Sequence, residues 1–348
     1  METRPHVAKY FAGTLSGGGF TNFLPSAIDG MKKIYIIKGT AGSGKSTLMK
    51  KIASAAEAAG ENVERIYCSS DPNSLDGVVI PVRSFAIVDG TAPHVMEASY
   101  PKAIDTIINT GDFISEKEIE RSSDEIIKLS DEKKVLFRQA QSLLYTASVL
   151  SGIERDLTEG CYDKAKGFRF CRNVILKEQK FKKEGEVLQK VFLAFGKNGV
   201  SSLCPTDSDV NIFSIGERFS SFILGTLKLL ATEYKLCAVC SPDPLETTQT
   251  GAIYFPESKR FYVSSAYYSD GEKISSKRFE IAELSSRNKE KTKFLKKTKA
   301  LILKEAQSYI KEAMICHESL EKIYVSALNK EGLDCLAQSI IISLFGNS

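Results

Sequence analysis

One segment restricts what this chain can fold into more than any other: KKIYIIKGTAGSGKSTLMKKIASAAEAAG, residues 32–60. It opens with a short β-rich apolar run, Ile34 to Ile37. Apolar residues at helical spacing follow, Leu48, Ile52, Ala55 or Ala56, and Ala59, and Gly60 sits where a helix stop is expected. Strand, glycine loop and helix in that order are what a phosphate-binding loop requires. Within the segment Gly39, Thr40, Ala41, Gly42, Ser43, Gly44, Lys45 and Ser46 fit GxxxxGK[ST], and Thr47 follows. Glycines let backbone N–H groups turn inward around phosphate oxygens. The positive end of the helix that begins near Lys45 adds its field, Lys45 can reach the β- and γ-phosphates, and the Ser46 hydroxyl is placed for Mg²⁺. Residues 39–47 are the expected site for ATP, or another nucleoside triphosphate, with Mg²⁺.

Such a loop needs a second metal-directed carboxylate at the end of a neighbouring strand. Ser-Phe-Ala-Ile-Val-Asp, residues 84–89, supplies it: four apolar residues lead to Asp89, the expected partner of Ser46. Asp71, in the loop after the strand Val63–Cys68, has two readings. It either orients a water or accepts a hydroxyl proton at the γ-phosphate, or it caps a short helix starting at Pro72. Lys45, Asp71 and Asp89 are the catalytic candidates. His94, just past Asp89, is placed to sense the same phosphates, although a lone loop histidine is more often incidental.

At 348 residues the chain suits two cores. Its net charge of +4, from 47 basic and 43 acidic side chains, does not by itself indicate nucleic acid or membrane. Eight cysteines without a leader-like start point to a reducing cytoplasm. No apolar run nears the roughly 18–20 residues that cross a bilayer. The lone Cys237-Ala-Val-Cys240 reads as strand sulfur rather than a metal site.

The chain also resembles itself. Cys68-Ser-Ser-Asp71-Pro72 recurs as Cys240-Ser-Pro-Asp243-Pro244, an offset of 172, and Ala140-Gln-Ser142 as Ala306-Gln-Ser308, an offset of 166. The first offset sets Asn211 opposite Gly39, Glu217 opposite Lys45 and Arg218 opposite Ser46, while Glu159-Gly160 faces Glu331-Gly332. A later run, Arg260–Ser265, falls opposite the Asp89 strand and lacks the carboxylate. The second half has therefore lost the loop chemistry. A Ser115-x-x-Glu118 capping box marks the start of the first helical region. Leu136, Ala140, Leu143, Ala147 and Leu150 match Ile302, Ala306, Tyr309, Ala313 and Cys316 in heptad phase. These helices are expected to pack on their own cores, the other reading being arms that meet a protein partner. Residues 287–304 hold eight basic side chains against one acidic, but with Phe294 alone as an interleaved aromatic, so nucleic acid is not favoured.

Taken together, Tyr10-Phe-Ala with its glycine-rich entry, IYIIKGTAGSGKSTLMKKI, IYCSSDPNSLDGVVIP and AIVDGTAPH resemble an uncharacterised bacterial family of tandem P-loop proteins, described only as ATPase-like or ATP-binding. The resemblance runs nearly the full length. It implies the fold and nucleotide binding but no substrate, and this chain departs from it at Glu217 and Arg218, since in that family the second half commonly looks like another intact P-loop domain.

The expectation is an α/β protein with two P-loop NTPase cores of mostly parallel sheet in duplicated halves. Residues 1–114 form the intact core, 115–170 a helical appendage, 171–270 the degenerate core and 271–348 a second appendage. The expected function is slow Mg²⁺-dependent ATP hydrolysis that drives a conformational change, with Arg83, Arg218 or Arg260 as a finger to the γ-phosphate. The alternatives are a small-molecule or nucleotide kinase using Asp71, and a non-hydrolysing nucleotide switch.

Overall fold

The computed structural model describes residues 7–181, 184–206, 209–268 and 270–346. The first half runs β1 (Val7–Phe11), a hairpin of β2 (Gly13–Ser16) and β3 (Gly19–Asn22), a short helix α1 (Leu24–Ala27), β4 (Lys33–Lys38), α2 (Lys45–Ala58), β5 (Val63–Tyr67), β6 (Leu75–Ile80), β7 (Phe85–Asp89) and β8 (Asp105–Asn109). Helices α3 (Glu116–Glu120), α4 (Ser123–Thr158) and α5 (Lys164–Glu178) follow. The second half repeats the plan with β9 (Val187–Gln189), a hairpin of β10 (Leu193–Gly196) and β11 (Gly199–Ser202), β12 (Asn211–Ile215), α6 (Glu217–Glu233), β13 (Ala238–Pro242), β14 (Thr250–Phe255), β15 (Arg260–Ser264) and β16 (Glu272–Ile274), then α7 (Ser286–Ser326) and α8 (Lys330–Phe345).

Both six-stranded sheets have the same order: β1-β5-β6-β7-β4-β8 in the first, and β9-β13-β14-β15-β12-β16, its counterpart strand for strand, in the second. Three neighbour pairs in each sheet are parallel and two antiparallel, so the sheets are mixed. The antiparallel strand is β6, every residue of which is buried. Its first residues, with Asp76-Gly77, read as loop and turn from sequence. The helix expected at Pro72 is absent; instead the Ser74 amide donates to the Asp71 carbonyl (2.9 Å) in a tight turn. An antiparallel neighbour needs no more than that to reverse the chain.

Contacts group the chain into two compact units: Met1–Gly13, Asn22–Gln139 and Ser308–Ser348 in one, Thr14–Thr21 and Ala140–Gln307 in the other. The units do not follow the linear order of core and appendage, and a boundary at 170/171 falls inside α5. In the first unit α8 packs on α2, where Leu333, Ala337, Ile340 and Leu344 join the core of Leu48, Met49 and Ile52. In the second, α5 packs on α6 through Cys171, Val174 and Ile175, and Tyr162 stacks on Phe219 with ring centres 4.7 Å apart. Each core is thus covered by the last helix of the other half.

The junctions repeat in detail. In the first unit the Asn329 amide donates to the Phe113 carbonyl (2.7 Å), and in the second the Asp163 amide donates to that of Phe279 (2.8 Å). Asn329 and Asp163 then cap α8 and α5 with their side chains. All these positions differ by 166, so the helical regions align at that offset throughout, and the match of Glu159-Gly160 to Glu331-Gly332 is coincidental. Replacing either cap by alanine is expected to cost about 1 kcal/mol, read as a lower urea midpoint.

Two local expectations change. Ser115 does begin α3, but its side chain makes no capping bond. The buried seam of α4 is Leu136, Ala140, Leu144 and Ala147 rather than Leu143, because a helix of 3.6 residues per turn drifts off a strict heptad. In the first unit this seam meets α7 at Ala313 and Cys316. Cys240 is buried and Cys237 half-buried, both free thiols.

Candidate functional site

The loop of residues 39–44 joins β4 to α2 at the carboxyl end of β4, beside the carboxyl end of the parallel β7, where Ile37 is paired with Asp89. Loops leaving such strand ends are where open α/β sheets take ligands. Gly42 and Gly44 have φ of 73° and 82°, the left-handed region that a side chain resists. At Gly39 the constraint is space: a Cβ there would lie 2.0 Å from Thr110 Oγ1. Thr110 in turn is hydrogen-bonded to Ser43 (2.8 Å) and donates to the Lys38 carbonyl (3.0 Å), which pins the loop's two ends.

Lys45, Ser46 and Thr47 form the first turn of α2. The Lys45 ammonium folds back along the loop, donating to the carbonyls of Gly39 (3.1 Å) and Thr40 (2.7 Å), and it lies 3.6 Å from Asp89 Oδ2. Ser46 Oγ accepts from the Leu75 amide (2.9 Å), and Thr47 is exposed. Asp89 closes β7 with its carboxylate accepting from the amide (2.8 Å) and hydroxyl of Thr91. Burial pushes the Asp89 carboxyl up, against the pull of Lys45 and Thr91 and with a further push from Asp76. Lys45 and Asp89 are therefore brought together, while Ser46, the next residue of α2, is engaged by the Leu75 amide at the start of β6.

Other candidates fare differently. His94 is buried with Nε2 3.0 Å from Asp76 Oδ2, so its imidazole is engaged with a carboxylate on the strand next to β7. Asp76 was missed because Asp-Gly is a turn signal, yet here it lies inside β6. Asp71 sits in the turn before β6, with Oδ1 accepting from the Asn73 amide (3.4 Å), and it helps favour the protonated form of His317 on α7. None of the three arginines offered as fingers is free. Arg83 stands before the amino end of β7, opposite the end that carries Asp89, and binds Glu61 and the Leu344 carbonyl. In the second unit Arg260 binds Glu178 (2.8 Å) and Arg218 bonds to Tyr162.

The second half has no glycine loop at the corresponding place. Ile215 pairs with Ser264 as Ile37 pairs with Asp89, and only Gly216 separates β12 from α6. Asn211 begins a strand and is no counterpart of Gly39. Ser264 occupies the Asp89 position and bonds Ser220 (3.0 Å), while Glu217, at the Lys45 position, is held by Lys296 (2.9 Å) and Lys299 (3.5 Å). The Gly17–Gly19 turn joins β2 to β3, and Thr14 at the base of that hairpin bonds Phe195 and Pro244, all within the second unit.

Among the described residues no cluster of three or more His, Cys, Asp or Glu could hold an ion alone, and no helix is long and apolar enough to cross a membrane. One hydroxyl and one carboxylate, both hard oxygen donors, fit Mg²⁺, which keeps waters and takes phosphate oxygens as its remaining ligands. No known protein family matches the chain, and no curated protein or solved structure does so either.

Proposed function

We propose that the first unit binds one nucleoside triphosphate, ATP, with Mg²⁺ at residues 39–47, and that it hydrolyses it slowly, so that nucleotide state drives a conformational change. The observation that carries this reading is Lys45, which is poised between the carbonyls of its own loop and Asp89 at the mouth of two parallel strands. An ammonium held there by carbonyls of its own loop can turn to phosphate oxygens, while loop amides and the amino end of α2 receive the remaining negative charge. Ser46 and Asp89 would hold the cation, whose chemistry is to neutralise charge that develops on the phosphates. The core would then be that of a P-loop NTPase, in keeping with the resemblance noted from sequence.

Slow turnover is favoured by the residue after Asp89. A Cβ at Gly90 would lie 2.3 Å from Ile36 Cγ2, so no carboxylate that activates water fits at that position. Phosphoryl transfer to a hydroxyl acceptor is the second reading, supported by Asp71, which shares its surroundings with His317 beside Lys45.

Calorimetry with MgATP, followed by phosphate release on the same sample, tests the proposal. One site per chain with slow release is the expected result. Two sites per chain, or none, would sink it; binding without release would leave a nucleotide switch, and release only in the presence of an acceptor would leave a kinase.

A further inference from the structure

Beside the glycine loop of the first unit stand cationic groups that the motif does not contain. Helix α7 lies directly against the loop, where a Cβ at Gly42 would meet the Glu321 carbonyl oxygen at 2.5 Å. Helix α4 packs on the same part of α7 through Leu136, Ala313 and Cys316. Lys133, one turn before Leu136, and His317, next to Cys316, are both half-buried. Burial lowers the Lys133 ammonium, and Lys45 lowers it further. The His317 imidazole is driven down to about 4, first by burial and then by Lys133 and Lys45, against an opposing pull from Asp71 and Glu318. Three basic groups thus share one small region, and among the described residues Lys133 has no ion pair.

The second unit shows what this arrangement accommodates. Its helix α7 carries Lys299, 166 residues after Lys133, and its helix α6 begins with Glu217, the counterpart of Lys45. There the lysine does not face another lysine: Lys299 Nζ lies 3.5 Å from Glu217 Oε1, with Lys296 2.9 Å from Oε2. Where the glycine loop is absent, a carboxylate of the chain itself, Glu217, lies against the lysines. Where the loop remains, Lys45 has Asp89 on β7 as its carboxylate, 3.6 Å away, while Lys133 has no ion pair among the described residues and is disfavoured as a cation by its burial and by Lys45, a cost that a bound anion would relieve.

We propose that Lys133 is a phosphate-binding residue that contacts the terminal phosphate of the nucleotide, at the place that Glu217 occupies permanently opposite Lys299. The inference rests on the nucleotide reading above. Loop amides hold the inner phosphates and Lys45 reaches on to the outermost, so a cation arriving from another element adds a second contact to that outermost phosphate, as finger residues do. Lys133 thereby lets the helices distinguish the triphosphate from the diphosphate.

The test is calorimetry of MgATP and MgADP on the full chain for wild type, Lys133→Ala, Lys133→Met, Lys133→Arg and Lys299→Ala. Removing the charge at residue 133 is expected to weaken MgATP about tenfold and leave MgADP within about twofold, with arginine restoring most of the difference. Lys299→Ala is expected to change neither. Methionine keeps the aliphatic stem, so a fold defect in the alanine variant does not blur the result. Equal losses for both nucleotides, or no loss for either, overturn the role of Lys133 while the nucleotide site stands. A wild type that binds neither nucleotide overturns both.

Discussion

The Lys45→Ala chain is expected to bind MgATP at least about 30-fold more weakly than wild type. Truncating one partner of a desolvated charge contact costs about 2–5 kcal/mol, and each 1.4 kcal/mol is roughly tenfold. Lys45 is only 13% exposed, so its charge acts with little screening from water. Its loss has a second consequence at Asp89, whose carboxyl burial already pushes up and Lys45 holds back. Without the lysine that carboxyl rises further and becomes a poorer partner for a cation, so the Mg²⁺ dependence of binding should weaken as well. Titration calorimetry with and without Mg²⁺ reads both effects. Unchanged affinity would remove residues 39–47 from consideration as the nucleotide site.

Gly42→Ala should be the most damaging of the small substitutions in the loop, at about 3 kcal/mol. Two costs add. A left-handed φ of 73° penalises any side chain by about 1–2 kcal/mol, and the new Cβ would stand 2.5 Å from a backbone oxygen, that of Glu321, which cannot rotate away. Overpacking of that kind costs about 1–3 kcal/mol. Gly60→Ala separates the terms, since Gly60 has a φ of 77° and nothing within 4 Å of its would-be Cβ. The excess of the first variant over the second, from urea midpoints, measures how firmly α7 seats on the loop. Equal losses would mean that the contact contributes nothing.

Gly42 and Gly60 also show how far the sequence could be read. Both were placed correctly, one in a loop and one at a helix stop, because backbone preference is a property of the residue and its immediate neighbours. The same holds for the meeting of Lys45 and Asp89, which follows from two strands that end side by side. Asp76 escaped notice because its dipeptide is a turn signal whose meaning changes once β6 pairs on both sides. The absence of a glycine loop in the second half reads as substitution because aligning residues one for one cannot reveal a gap; the strand pairing of Ile215 with Ser264 can.

What the sequence by itself determined is local: a strand, a glycine turn, a helix with lysine and serine in its first turn, a carboxylate ending a second strand, and a repeat of that plan without its chemistry. Only the tertiary structure decided that α8 covers α2 and α5 covers α6, and that α7 lies on the glycine loop with Lys133 and His317 close by. These pairings join residues far apart in the chain. They are selected by which apolar faces bury each other best, and that competition among surfaces is settled by the whole fold rather than by any contiguous stretch of residues.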